Sequence, residues 1–334
     1  TPARFDGQLH DTAVFMRENL RPGDRFRGPA IVCENSATTV VDPGWEAQVL
    51  SRGELLLSDR GGPGRQAVST EADPTMLEIF NNQFAGIAEQ MGITLRNTAS
   101  SVNVKERLDF SCAVFTSSGD LVANAPHIPV HLGAMSETVK CLIADNPQLK
   151  PGDVFLTNDP FRGGSHLPDL TVITPVHDSP GSDTAPADGS APSSPRLLFF
   201  TASRAHHAEI GGMAPGSMPP FSQCLAEEGV VIRNFKLVDG GTARHDALRD
   251  LLSQGPYPSR SVAENMADIA AQVAANQQGT LDLLRLMETK GWGMVQAYMR
   301  HIQAAAETKM RMALAKLPDG DHQFVDHLDN GAAI

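Results

Sequence analysis

Residues 154–176 read VFLTNDPFRGGSHLPDLTVITPV, two apolar runs with a polar, glycine-bearing stretch between them. Residues 154–157 and 170–176 have the length and the β-branched and aromatic content of strands, while Asn158, Pro160, Gly163, Gly164 and Pro168 supply turn chemistry. A strand, a loop and a second strand are predicted, and the loop, NDPFRGGSHLPD, carries Asp159, Arg162, His166 and Asp169. Few other stretches of this chain concentrate so much reactive chemistry.

Further along, residues 197–201 read as another strand leading into AHHAEIGG, residues 205–212, with His206, His207 and Glu209 ahead of a second glycine pair. Imidazole and carboxylate together suit borderline divalent metals such as manganese, iron or zinc. The candidate ligands are Glu106, His166, Asp169 and one of His206 or His207. The spacing of His166 and Asp169 alone is equally that of an exposed hydrogen-bonded pair. Its surroundings favour a metal, because Gly163 and Gly164 let backbone approach a ligand closely and Pro168 restricts Leu167 between the two side chains. Adjacent histidines usually diverge, so one of the pair is expected at the metal and the other at substrate or solvent. Asp159, just before Pro160, either orders its own loop as an Asx turn or serves as a general base. In HIPVH, residues 127–131, His131 is assigned a substrate contact at most. Cys112, on a predicted strand with no basic neighbour in sequence, reads as a buried, inert thiol.

Working outward, the chain divides. Residues 1–57 carry short β-type runs at 30–33, 38–41 and 47–50, punctuated by Pro-Gly and Gly-Pro pairs, and predict a small, mostly β unit. Residues 58–72 are polar, glycine-rich and without apolar periodicity, as a linker would be. Residues 73–334 predict a larger mixed domain ending in helices, so the fold class is α+β. Asp73 caps a helix with Pro74 in its first turn, and Leu77, Phe80, Phe84, Ile87 and Met91 recur at helical spacing before Gly92 stops it. Residues 102–122 suggest two strands joined at SSGD, with Glu106 and Asp109 on the first. Residues 132–145 predict a helix, and residues 262–317 helical structure ended by Pro318. The Pro/Ser-rich residues 177–196 predict a disordered surface insertion.

The chain has 334 residues, 41% hydrophobic and 20% charged, with a formal net charge of −12. That composition is globular, and the acidic balance argues against nucleic acid and anionic membranes as partners. The four cysteines are scattered without a CxxC pair, which fits a reducing cytoplasm rather than a disulfide framework. No apolar run approaches the roughly 18 residues of a membrane helix. No phosphate loop, dinucleotide fingerprint or GxSxG elbow is present, which leaves a small molecule as the expected substrate and no ATP site in this stretch.

Several separated motifs, in order, give this chain a resemblance to the hydantoinase/oxoprolinase family, particularly its fused, ATP-dependent members. RPGDRFRGPAIVCENSATTVVDPGWEAQV resembles the end of the family's A-type part. NTASSVNVKERLDFSCAVF, HIPVHLGAM, NDPFRGGSHLPDLTVITPV, AHHAEIGG and DIAAQVAANQQG resemble the first portion of its B-type part. The resemblance implies an upstream A-type region or subunit that binds ATP and magnesium and phosphorylates the substrate, a homo- or hetero-oligomer, and a B-type part that opens the activated ring of 5-oxo-L-proline. Ketone carboxylation and N-methylhydantoin hydrolysis are the alternatives within the family, and a non-catalytic assembly module the alternative outside it. By motif the resemblance implies Glu106, His166, Asp169 and His207 as metal ligands. Asp159 and His206 are then expected in catalysis, and His131, Arg162, Gly163, Gly164 and Glu209 at the substrate.

Overall fold

The structure, a computed structural model, describes residues 1–5, 7–60, 70–178 and 195–327. They belong to two compact units, Thr1–Ser69 and Thr70–Ile334. The architecture is mixed α and β, with a strand-rich first unit and a second that ends in helices, as the sequence patterns predict.

The first unit holds a hairpin of β1 (Pro2–Phe5) and β2 (Gln8–Asp11) and two three-stranded sheets. One sheet joins β3 (Ala13–Met16), β5 (Ala30–Cys33) and β6 (Thr38–Val41); the other joins β4 (Arg25–Arg27), β7 (Trp45–Val49) and β8 (Leu55–Asp59). Alternation turns Ala30, Val41 and Ala47 inward, where Phe15, Phe26 and Leu57 pack against them.

The second unit opens with α1 (Pro74–Thr98), whose first turn is closed by the Asp73 carboxylate accepting from the Met76 N–H at 2.8 Å. The helix does not stop at Gly92. Gly92 is a contact residue inside it, since a Cβ there would stand 2.9 Å from the His127 ring. Residues 102–122 also depart from two simple strands: a short helix, α2 (Val102–Lys105), capped by Ser101, precedes β9 (Phe110–Thr116) and β10 (Leu121–Asn124). The Asp268 carboxylate accepts from the N–H groups of Ser100 and Ser101 at 2.6 and 3.1 Å, and this bonding turns the chain into α2.

After α3 (Pro129–Asp145) come β11 (Val154–Thr157), β12 (Asp169–His177) and β13 (Leu197–His206). The predicted insertion falls between the last two, and its residues 179–194 lie outside the described residues. The short α4 (Leu225–Glu228), the strands β14 (Phe235–Asp239) and β15 (Thr242–Ala243) and the helix α5 (His245–Ser253) follow. The last helical stretch is two helices, α6 (Val262–Lys290) and α7 (Trp292–Leu314), separated at Gly291, whose φ of 82° cannot continue a helix.

The seven strands form one antiparallel sheet in the order β10-β9-β13-β12-β11-β14-β15. Helices cover both faces, which is why β9, β12 and β13 are buried along nearly their whole lengths. Alternation sorts the strands' side chains: Cys112, Val114 and Ala205 join the core beneath α1 and α6, while Ala113, Phe115, Ile173 and Ala202 meet Met135, Val139 and Leu142 of α3. Helix α6 is tied down by amides as well as by apolar contact. Gln272 donates to the carbonyls of Leu170 and Ser203, and Asn276 to those of Val172 and Thr201.

Candidate metal centre

Strand register builds the site. In the antiparallel pair β12 and β13, Asp169 lies directly opposite His206, and two residues along Thr171 lies opposite Arg204. Because side chains alternate, all four point to the α3 face. The His206 N–H donates to the Asp109 carbonyl at 2.9 Å, which brings the residue just before β9 alongside. Helix α3 lays its first turn, with His131, over the same end of the sheet. The predicted loop then returns His166 to Asp169, whose N–H donates to the His166 carbonyl at 3.0 Å.

Asp169 is the centre of this cluster and is fully buried. Its Oδ1 is 3.1 Å from His206 Nδ1 and 3.5 Å from His131 Nε2, and its Oδ2 is 3.1 Å from His166 Nδ1. Burial alone would raise its pKa, but the three histidines outweigh it and hold the carboxyl well below the usual carboxylate range. In turn the Asp169 carboxylate raises the pKa of His206 against the opposing effect of burial. Asp109, half-buried at the edge, stands 3.7 Å from His131 Nε2 through its Oδ1.

The donor set of His166, Asp169 and His206 suits a divalent ion, with one ligand atom from each lying within 4.8 Å of the others. A further observation tests the fit. Asp169 Oδ2 is buried and has no hydrogen-bond donor, because His166 approaches it without the alignment of a hydrogen bond. An orphaned buried carboxylate oxygen is costly, and a bound cation is one group that satisfies it. The imidazoles of His166 and His206 lie 4.9 Å apart beside that oxygen. These residues fit a metal.

The other sequence candidates go elsewhere. Glu106 is exposed at the C-cap of α2 rather than on a strand, and Asp109 is the acid that joins the histidines. His207, beyond the end of β13, turns to α6, with Nδ1 2.8 Å from Asn265 Oδ1 and Nε2 3.1 Å from Gln272 Oε1. His206 therefore takes the position expected of His207. Asp159 forms the Asx turn, accepting from the Phe161 N–H at 3.0 Å, and pairs with Arg233 Nε at 2.6 Å, so both its oxygens are engaged. Arg162 pairs with Asp145 at the end of α3. Gly163 and Gly164 seat the loop against protein, the first on Thr138 and the second on the Asp159 carbonyl. Glu209 accepts from the N–H groups of Gly211, Arg260 and Ser261 and from Ser259 and Asn265, closing the start of α6. Those bonds hold its carboxyl below the ordinary glutamate pKa against the opposing effect of burial. Cys112 is buried, and burial pushes its thiol well above the usual cysteine range. Asp109 belongs to no ligand motif in the sequence, and its place just ahead of a buried strand is the one local signal that marks it.

A sheet covered on both faces by helices, with a histidine and carboxylate cluster at the end of its central strands, defines a mixed α and β domain with a candidate metal site. Residues 73–334 match the family model described as hydantoinase B/oxoprolinase, and residues 2–55 match the hydantoinase/oxoprolinase C-terminal domain. The chain belongs to the hydantoinase B/oxoprolinase family. It is 44% identical to 5-oxoprolinase 1 of Arabidopsis thaliana over 93% of its own length and 24% of that protein's. It is 41% identical to 5-oxoprolinase of Dictyostelium discoideum over 97% of its length and 25% of that protein's. Among solved structures, the ATP-dependent caprolactamase from Pseudomonas jessenii is similar with a TM-score of 0.65 and 26% identity, covering 78% of this chain and 42% of that one. The chain thus spans about a quarter of the length of the oxoprolinases it matches. Among the described residues, no helix is long and apolar enough to cross a membrane.

Proposed function

We propose that this chain is part of an ATP-dependent 5-oxoprolinase and carries the site at which the ring of 5-oxo-L-proline is opened to L-glutamate. The likeness to oxoprolinases along nearly the whole chain is the observation that supports the reading most. The structural likeness to a caprolactamase, another enzyme named for a cyclic amide, favours amide hydrolysis over ketone carboxylation. ATP and magnesium are assigned to an A-type region or subunit, and the four free cysteines agree with a reducing, cytoplasmic setting.

His166, Asp169 and His206 would hold a divalent ion of the manganese, iron or zinc kind. When bound, such an ion supplies Lewis-acid polarisation of a carbonyl or of water. In the ring opening, water adds to the carbon of the phosphorylated lactam, the carbon–nitrogen bond breaks as the nitrogen takes up the protons of that water, and a second water splits the resulting acyl phosphate into L-glutamate and inorganic phosphate. Asp109, partly exposed at the edge, and the buried His131 between it and Asp169 are the groups placed to move protons, and Asp169 orients His131 and His206. In the full-length protein, ATP hydrolysis should depend on 5-oxo-L-proline and yield glutamate in step. Absence of that dependence, or bicarbonate-dependent consumption of a ketone instead, would sink the assignment.

A further inference from the structure

Arg204 lies near the end of β13, one row of side chains inward from His206, and its side chain is entirely buried. Its guanidinium has five N–H groups, and the surroundings offer five acceptors. Nε donates to Thr171 Oγ1 at 2.8 Å. Nη1 donates to the His131 carbonyl at 3.2 Å and Ser165 Oγ at 3.1 Å. Nη2 donates to Thr138 Oγ1 at 2.8 Å and the Gly163 carbonyl at 3.0 Å. Every acceptor is neutral. A buried cation without a directly bonded carboxylate is an expensive device for stability alone, where apolar packing serves as well.

The acceptors show what the expense secures. They belong to the strand that bears Asp169, to the first three turns of α3, which carry His131 and Thr138, and to the loop segment immediately before His166. We propose that Arg204 is a positioning residue of the site, fastening the 163–165 loop and the start of α3 to β12 and β13 so that His166 and His131 converge on Asp169. A guanidinium is protonated throughout the neutral range, so Arg204 stands beside the cluster as a fixed cation. Lysine keeps the charge but not the planar fork, and one ammonium cannot reach acceptors on all three sides.

The test uses the intact chain with Arg204→Lys and Arg204→Met. Hydrogen exchange is followed in peptides covering residues 158–167 and 129–138, with peptides of α1 and α6 as internal reference. Manganese and zinc affinity is measured in parallel. Both variants should exchange the loop and the start of α3 at least about tenfold faster while α1 and α6 keep their protection. Metal affinity should fall by about 10–100-fold, as for other residues that orient ligands. Ser165→Ala removes a single, half-buried acceptor and should give a smaller acceleration confined to the loop, which keeps the test decisive if either Arg204 variant fails to fold. Wild-type protection of the loop in Arg204→Lys, or an acceleration spread evenly over the whole unit, would overturn the proposal. The inference rests on the metal reading only for its second measurement; a wild-type protein that binds neither ion would refute that reading while the exchange data still decide the role of Arg204.

Discussion

Gly163→Ala probes how tightly the loop is seated. Gly163 has φ 83° and ψ 4°, a left-handed conformation that costs a residue with a Cβ about 1–2 kcal/mol. The added Cβ would also stand 2.7 Å from Glu137 C and Thr138 Cα, and closer still to Thr138 N, all backbone atoms of α3 that cannot rotate away. Forcing a group into such packing typically costs about 1–3 kcal/mol more. Relief requires the loop to lift, which would break the bonds from Thr138 and Arg204 to the Gly163 carbonyl. The sum is a loss of about 2–5 kcal/mol. Gly216 provides the control, because its backbone is nearly the same, at φ 78° and ψ 2°, and a Cβ there meets nothing within 4 Å. Gly216→Ala should therefore cost only the conformational part, about 1–2 kcal/mol. Urea unfolding of both variants beside wild type measures the difference. Equal losses in the two variants would refute the idea that the loop is pressed against α3.

Asn158, fully buried at the head of the loop, donates to the carbonyls of Leu167 and Val230 at 2.8 and 2.9 Å and accepts from the Ile232 N–H at 2.7 Å. Asn158→Asp points a carboxylate at two carbonyls and should cost about 2–6 kcal/mol, at about 1–3 per group left unpaired; a loss below about 1 kcal/mol in chemical denaturation would contradict that account. In metal-free protein, the Asp169 pKa is depressed, so its contribution is present above the unfolded value of 3.8 and lost as pH falls through the folded one. The His206 pKa is raised, so its contribution is complete below 6.5 and lost as pH rises through the folded value. The gap in melting temperature between wild type and Asp169→Asn should accordingly be widest between those two unfolded values and narrow toward alkaline pH; a gap that widens from pH 7 to 9 would count against the pair.

Much of the fold was legible because apolar periodicity and turn chemistry report burial directly. The strands Ala30–Cys33 and Thr38–Val41, the Asp73 cap and the buried face of α1 all follow from local pattern. Gly92 was misread as a stop because a helix tolerates glycine where another ring must come close, and only the tertiary contact with His127 shows that. The start of the first strand expected in 102–122 is α2 instead, because the carboxylate that turns the chain there, Asp268 on the N–H groups of Ser100 and Ser101, lies far along the chain. In the site, His166 and Asp169 were visible as a motif. The choice between His206 and His207 was not, since it depends on how far β13 runs: the strand ends at His206, which leaves that side chain opposite Asp169 and frees the next to meet α6. Glu106 was the acid expected at the metal; it is exposed at the end of α2, and Asp109 stands beside the histidines because of a long-range contact, the bond from the His206 N–H to the Asp109 carbonyl.

The central claim is that His166, Asp169 and His206 form a divalent metal site to which Glu106 does not contribute. Elemental analysis of purified protein, with wild type, Asp169→Asn, His206→Ala and Glu106→Gln prepared side by side, tests it most directly. The account predicts bound manganese, iron or zinc in wild type and in Glu106→Gln, and its loss from the other two while their secondary structure persists. Metal retained at the wild-type level in Asp169→Asn, or lost from Glu106→Gln, would contradict it.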